Sequence, residues 1–310
     1  MIVVSIGCPA GVGPEVTVAA AAELRSQRTL LVGDTEAITR AARLAKVSVG
    51  RLDIHDPGPK LSPRDYRPGK PSKAAGAAQL AWIDAAYRMV CERKNAVLVT
   101  GPVSKAAIAA SGTASFRGHT DWLRDRDGAA TAVMCFVSPK LVTSVVTTHL
   151  PLAEVPKAVT RRGVTDAIVA LTDLLARLGK QRPRIAVASL NPHAGESELL
   201  GREEATAIVP AIRDAKRRVG LAVVEGPIGA ETAYRKAYAG AYDGVVAMYH
   251  DQATIPTKLV AFGDAVNVTM GLSIVRTSVD HGTGYDIAWK GRADASGMLA
   301  AMRLAVRLAR

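Results

Sequence analysis

The chain has 310 residues, of which 48% are hydrophobic and 22% charged, a composition that suits one large or two smaller folded domains and excludes a disordered chain. No apolar run approaches the roughly 20 residues of a bilayer-spanning helix, and the first residues do not resemble a signal peptide, so a cytoplasmic protein that does not insert in a membrane is expected. The net charge is +12, but aromatic residues make up only 4%, so we expect an anionic small molecule rather than nucleic acid as the partner.

Short β-branched runs alternate with Ala- and Leu-rich stretches along the chain. Strands are predicted at 2–6, 29–32, 96–100, 133–137, 142–147, 184–190, 222–225, 244–249 and 265–269. Helices are predicted at 72–93, 162–178, 202–217 and 293–308. This alternation predicts βαβ crossovers and a mostly parallel sheet with helices on both faces. Such sheets bind ligands at the carboxyl ends of their strands, so the loops that follow strands are the candidate sites.

The first predicted strand leads into Gly7-Cys8-Pro9-Ala10-Gly11-Val12-Gly13-Pro14-Glu15. The glycine spacing differs from the Rossmann fingerprint, and no P-loop lysine follows it. The segment does predict a tight strand-to-helix turn with exposed N–H groups at the start of a helix.

The three cysteines, Cys8, Cys91 and Cys135, are far apart and form no C-x-x-C pair. This spacing predicts reduced thiols and argues against a disulfide framework or a thiolate zinc site. Each cysteine is expected to be a small buried residue.

Four of the six histidines follow predicted strands, at His149, His193, His250 and His281. Several imidazoles at one sheet edge favour a metal site, because neutral imidazole is a common metal ligand, although such long separations are not a local ligand motif. Three imidazoles would leave a coordination position open for a substrate. Asp251 and Glu196 are placed to support these rings.

Other polar residues suit a phosphorylated or carboxylated substrate. His119 and Thr120 lie in a predicted polar turn, where they could donate to a hydroxyl or carboxylate, or where His119 could simply be a capped loop residue. Lys258, Asn267 and Arg276 follow the last of the three histidines at regular intervals. Arginine supplies a bidentate fork and lysine a point charge for a phosphate. The alternative is that these three are ordinary surface or sheet-end residues that bind no ligand.

The segment His281-Gly282-Thr283-Gly284-Tyr285-Asp286-Ile287-Ala288-Trp289-Lys290-Gly291 resembles the adenosine-binding loop of the isocitrate and isopropylmalate dehydrogenases. The Gly7–Glu15 turn also resembles the glycine-rich opening of those enzymes. The resemblance implies binding of NAD through Gly11, Gly13, His281, Gly282, Thr283 and Asp286. An acid at Asp286 would accept from a ribose diol and repel a 2′-phosphate, which favours NAD over NADP.

Across nearly its whole length the chain resembles the 4-hydroxythreonine-4-phosphate dehydrogenase family of pyridoxal phosphate biosynthesis. The matching segments lie at 7–15, 100–105, 118–120, 147–151, 190–196, 247–252 and 276–283. The resemblance implies two α/β/α lobes with a cleft between them, like isocitrate dehydrogenase and unlike a Rossmann fold. We expect one lobe from residues 1–115 and 284–310, and a second from 116–283 with the metal site, the substrate site and a homodimer interface.

The resemblance also implies roles for individual residues. His149, His193 and His250 would bind one divalent metal (zinc, cobalt, magnesium or manganese) in a site shared across the dimer. His119, Thr120, Lys258, Asn267 and Arg276 would contact the substrate. Oxidation of its secondary alcohol by NAD, followed by loss of CO2, would give 3-amino-2-oxopropyl phosphate. His119, Lys258 and a water near Asp251 are the candidate general bases.

Two departures from the family pattern leave the substrate open. The family usually has an acid at the position of Cys8, and Pro-Ala-Asp-Thr where this chain has Gly229-Ala230-Glu231-Thr232. Paralogues oxidise 4-phospho-threonate or 4-phospho-erythronate, and a more distant branch oxidises a cyclic diol-dicarboxylate. Because Lys258, Asn267 and Arg276 are all present, a phosphorylated substrate is favoured over the cyclic diol.

Overall fold

The computed structural model describes residues 1–24, 26–261 and 263–309. Its strands are β1 Ile2–Ser5, β2 Thr29–Val32, β3 Asp53–His55, β4 Val97–Thr100, β5 Val133–Val137, β6 Val142–Thr147, β7 Arg184–Ala188, β8 Val223–Ile228, β9 Gly244–Tyr249, β10 Val266–Met270 and β11 Arg276–Val279. Its α-helices are α1 Gly13–Glu23, α2 Thr35–Leu44, α3 Lys73–Cys91, α4 Lys105–Ala110, α5 His119–Asp127, α6 Val155–Ala158, α7 Arg161–Arg177, α8 Val209–Lys216, α9 Ala230–Tyr238, α10 His250–Ala261 and α11 Ser296–Leu308.

The chain divides into two compact units. Unit 1 comprises Met1–Ala129 and Leu272–Arg310, and unit 2 comprises Ala130–Gly271. The sequence places these boundaries differently, because it assigns α5 and β11 to the second lobe. Both belong to unit 1: Trp122 of α5 donates to Asp84 of α3 at 2.8 Å, and β11 pairs with β4.

In unit 1 the strand order is β3-β2-β1-β4-β11, and the paired strands are parallel. The register aligns Ser5 of β1 with Thr100 of β4, so the loops that follow these strands leave at the same edge. Helix α3 packs on β1, β2 and β4, and α4 packs against α3. Helices α1 and α11 pack together, with α11 on β4 and β11. The strands β3 and β11 are not predicted from the sequence, because one is three residues long and the other begins with three polar residues.

In unit 2 the strand order is β10-β5-β6-β9-β7-β8. Three of its five pairs, β6–β9, β9–β7 and β7–β8, are parallel, as a mostly parallel sheet requires, whereas β10–β5 and β5–β6 are antiparallel. A connection of only four residues joins β5 to β6, and its Ser138 bonds back to Leu141. A connection this short permits only a hairpin. The predicted helix at 202–217 is also divided, into a π-helical turn at Glu204–Ile208 and α8.

The apolar core of unit 2 includes Phe136, Val145, Ala186, Tyr234 and Val245, so α9 covers one face of its sheet. No disulfide joins the cysteines of the described residues; Cys8 and Cys135 are buried as expected, but Cys91 at the end of α3 is exposed. A search of the described helices finds none with the length and apolar character needed to cross a membrane.

Candidate active site

The three predicted metal ligands lie at one edge of the unit 2 sheet. His149 follows β6, His250 follows β9 directly as the first residue of α10, and His193 lies in a short 3-10 turn after β7. Because β6, β9 and β7 are neighbouring parallel strands, their carboxyl ends share this edge. The rings of His149 and His250 are adjacent, with centroids 5.6 Å apart.

Asp251 orients the His250 ring through a contact of 2.7 Å between its Oδ1 and the His250 Nδ1. In the tautomer with the proton on Nδ1, Nε2 keeps a lone pair for a metal, the arrangement that carboxylate–histidine pairs commonly provide. The predicted supporting role of Asp251 is thus compatible with the geometry. Sequence order alone suggested the pair, because the two residues are adjacent.

The donor set fits a divalent cation in part. Two adjacent imidazoles can serve as two ligands of one ion. Within the described part of a single chain, however, no group of three or more His, Cys, Asp or Glu side chains lies close enough together to hold a metal.

The predicted substrate residues are divided between the two units. His119, Thr120 and Arg276 belong to unit 1, and Lys258 and Asn267 belong to unit 2. Lys258 is half-buried on α10, and Asn267 lies in β10 with its Oδ1 shielded from solvent and without a hydrogen-bond partner among the described residues. A shielded acceptor of this kind suits a ligand that brings its own donor.

His119 is the first residue of α5, with Gly118 as the N-cap, and not part of an isolated turn as the sequence predicts. Its side chain is half-buried, but Nε2 is inaccessible and has no hydrogen-bond partner in the described residues. Burial, and then the positive charges of Arg276 and Lys105, hold the pKa of His119 well below its usual value. The imidazole is therefore neutral at physiological pH and can both donate and accept.

Arg276, at the start of β11, is 3% exposed and donates to the Thr100 hydroxyl at 2.6 Å. Burial lowers the pKa of Arg276 to about 9. A cation held this deeply next to a neutral imidazole attracts an anionic group. Sequence reasoning did not assign roles to Thr100 or Lys105, although both stand in the segment 100–105 that matches the family.

The two segments predicted to bind the cofactor pack against each other in unit 1. The amide of Val12 donates to the Thr283 carbonyl at 2.9 Å, and a Cβ on Gly11 would lie 2.5 Å from that same oxygen. Gly13 is equally constrained, since a Cβ there would lie 2.4 Å from the Ile6 carbonyl. The close contact between the two segments thus requires glycine at position 11, and the tight turn after β1 requires it at position 13.

Glu15 at the start of α1 holds the two glycine-containing segments together. Its buried carboxylate accepts from the backbone amides of Trp289 and Gly291, and the Trp289 ring nitrogen donates to the Pro9 carbonyl. His281, Gly282 and Asp286 are exposed and available to a ligand. From the sequence Glu15 is only the acidic start of a helix; the contacts show that it ties the two segments together.

Comparison with solved structures first defines the fold class. The chain is similar to isocitrate dehydrogenase from Methylococcus capsulatus, with a TM-score of 0.53, 15% identity, and coverage of 97% of this chain and 83% of that one. At this identity the likeness concerns the fold alone. The fold is therefore that of isocitrate dehydrogenase and not a Rossmann fold, as the sequence predicts.

Residues 15–305 match the family model "Pyridoxal phosphate biosynthetic protein PdxA". The chain is 40% identical to the 4-hydroxythreonine-4-phosphate dehydrogenase of Geobacter metallireducens, over 100% of this chain and 95% of that one. The structure of the Klebsiella pneumoniae enzyme of the same name has a TM-score of 0.86 at 33% identity, over 100% and 99% of the two chains. The chain belongs to this PdxA family and is an oxidoreductase.

A second activity occurs among similar proteins. A terephthalate 1,2-cis-dihydrodiol dehydrogenase from Burkholderia xenovorans has a TM-score of 0.68 and 32% identity, with coverage of 99% of this chain and 97% of that one. The overall similarity therefore leaves the substrate to be decided by the residues of the site.

Proposed function

We propose that this protein oxidises 4-hydroxythreonine 4-phosphate with NAD and releases CO2 to give 3-amino-2-oxopropyl phosphate, a step in pyridoxal phosphate biosynthesis. The secondary alcohol at carbon 3 loses a proton and a hydride. The resulting β-keto acid then loses its carboxylate as CO2 and takes up a proton. The observation that carries the proposal is the deeply buried Arg276, with neutral His119 in the same unit, in a chain that matches the dehydrogenase family over residues 15–305.

The anionic ends of the substrate suit the basic residues of the site. In unit 1, Arg276 would supply positive charge and His119 and Thr120 neutral donors and acceptors; in unit 2, Lys258 would supply positive charge and Asn267 an acceptor. A phosphate would pair with the guanidinium of Arg276, whose fork of N–H groups matches phosphate oxygens. A cyclic diol-dicarboxylate lacks the phosphate that this set would recognise.

His149, His193 and His250 would hold one divalent metal. The ion would polarise the secondary alcohol and later the keto group, as a Lewis acid does. Three imidazole ligands favour zinc or cobalt over magnesium or manganese. Because no three-residue group forms within the described part of one chain, we infer that each site takes ligands from two copies in a homodimer.

Exposed apolar side chains near the histidine edge support the dimer. In unit 2 the solvent-exposed fraction is 71% for Leu152, 81% for Leu199, 65% for Ile255 and 83% for Leu259. These residues follow β6, follow β7, or lie on α10, so they come from the same elements as the three histidines. Large apolar side chains exposed together favour contact with another protein surface.

NAD would bind at the paired glycine segments of unit 1 and accept the hydride. Gly11 and Gly13 would hold the turn in its close-packed conformation, and exposed Gly282, next to Thr283, would face the cofactor. Exposed Asp286 would accept from a ribose diol and repel a 2′-phosphate. NAD is therefore proposed over NADP.

The proton of the alcohol requires an acceptor in the chain. His119 is neutral and can accept it, whereas Lys258 can do so only in its uncharged form and Asp251 only through a water. His119 is the best placed of the three because its Nε2 has no partner among the described residues.

The test is formation of NADH by the purified, metal-loaded protein. We expect NADH and CO2 in equal amounts from 4-hydroxythreonine 4-phosphate, and at least about 10²-fold lower kcat/KM for Arg276→Met. If 4-phospho-D-threonate or 4-phospho-D-erythronate gives NADH while 4-hydroxythreonine 4-phosphate gives none, the proposed substrate is wrong and the protein is a sugar-acid phosphate dehydrogenase.

A further inference from the structure

The loop that carries His193 has an unusual backbone. Five of its non-glycine residues have left-handed φ angles: His193 at 51°, Ala194 at 55°, Glu196 at 43°, Ser197 at 55° and Glu198 at 73°. Each such residue costs about 1 kcal/mol relative to ordinary backbone. A loop of this kind keeps one conformation only if contacts outside it hold it in place.

Glu204 provides those contacts. Its side chain is 5% exposed, and one carboxylate oxygen accepts from the backbone amides of Leu190 at 2.9 Å and Asn191 at 2.8 Å. The other oxygen accepts from the Asn191 side chain at 2.9 Å. The base of the loop is thus bonded three times to one buried carboxylate.

The carboxylate also lies against the far side of the same loop. A Cβ on Gly195 would lie 3.0 Å from the Glu204 Oε2, and Gly195 has a φ of +83°. Glu204 is the first residue of the π-helical turn Glu204–Ile208 that precedes α8. A π-turn changes the direction in which a side chain leaves its helix and is frequent at functional sites.

A second contact joins this loop to the neighbouring histidine. Gln252, two residues after His250, accepts from the Met248 amide at 2.7 Å and donates to the Ser189 carbonyl at 2.9 Å. The end of β7, which leads to His193, is thereby tied to the end of β9, which leads to His250. The Ser189 hydroxyl in turn donates to the Asn191 carbonyl at 2.9 Å.

We propose that Glu204 is a positioning residue that holds the His193 imidazole ready for a divalent metal, with Gln252 setting the His193 loop relative to His250. Glu204 itself does not bind the metal; it acts through the backbone of residues 190–195. The inference rests on the proposed role of His193 as a metal ligand, and the experiment below separates the two.

The test is titration of the metal-free protein with Co²⁺ alone, followed by calorimetry and by the visible d–d absorption bands. Glu204→Gln replaces an acceptor by an amide that faces the Asn191 donor, so we expect Co²⁺ affinity to fall about 10-fold or more and the bands to shift. Glu203→Gln is the matched control, because Glu203 contacts only the Asn191 side chain within this loop, at 2.7 Å. We expect its affinity to stay within about twofold of the unmodified protein.

Unchanged Co²⁺ affinity and unchanged bands in Glu204→Gln would overturn the proposal. If that variant does not fold, Gln252→Glu decides, because it keeps the acceptor for Met248 but loses the donor to Ser189. A fall in affinity then supports the proposal, and wild-type binding overturns it. His193→Ala tests the premise separately, namely that His193 is a metal ligand. Retained Co²⁺ binding in this variant would disprove that premise, whatever the result for Glu204→Gln.

Discussion

The His119 imidazole is the proposed acceptor of the alcohol proton. Its own protonation affects the stability of the fold in a way that can be measured. Because the folded state lowers the pKa of His119, the unfolded chain binds a proton more readily below about pH 6.5. The free energy of unfolding must therefore fall as the pH drops through this range. Between pH 7.5 and 5.5, we expect the free energy of unfolding, measured with urea, to fall less in His119→Gln than in the unmodified protein. Equal falls would contradict the lowered pKa of His119.

Glu15 offers a second test at the scale of single residues. Burial is the largest influence on its carboxyl group and raises the pKa of Glu15, so the charge itself is not favoured by the fold. Its acceptor oxygens are needed, since the amides of Trp289 and Gly291 bond to them. We expect Glu15→Ala, which leaves both amides unpaired, to lower the free energy of unfolding by about 1–3 kcal/mol, measured by chemical denaturation. Glu15→Gln keeps one acceptor oxygen but turns its NH2 toward the other backbone N–H, so we expect a smaller loss. Equal losses would show that one remaining acceptor does not hold the two segments together.

At the scale of elements, the contact between α3 and α4 depends on one glycine. A Cβ on Gly76 would lie 2.0 Å from the Ala107 carbonyl. At an exposed position inside a helix, replacing glycine by alanine stabilises the folded protein by about 1 kcal/mol. Here the sign should reverse, with Gly76→Ala destabilising by about 1–3 kcal/mol in thermal or chemical unfolding. A stabilised variant would show that the two helices can move apart at little cost.

The elements also show what sequence patterns can predict. The runs at 133–137, 142–147 and 244–249 are strands with the predicted bounds, because buried β-branched runs between turn residues leave few alternatives. The strand β11 is missed because Arg276, Thr277 and Ser278 are polar, yet all three are buried. Their burial depends on distant partners such as Thr100, which a local pattern does not contain.

On the scale of the full chain, the family resemblance supplies candidate site residues, and the structure adds their arrangement. Resemblance to the family names His149, His193 and His250, and their positions after parallel strands place them at one edge. It does not indicate that only His149 and His250 have adjacent rings, or that Glu204 and Gln252 hold the His193 loop. Those relations depend on long-range hydrogen bonds and backbone strain, which spacing along a chain does not encode.

Mixed dimers test whether the metal site is completed by two copies of the chain. Since His149 and His250 are adjacent within one chain, we expect His193 to come from the other copy. A dimer of one His149→Ala chain and one His193→Ala chain then keeps one intact site and should bind one Co²⁺. A dimer of His149→Ala with His250→Ala keeps no intact site and should bind none tightly. If the first mixed dimer also binds no Co²⁺, the shared three-histidine site is contradicted.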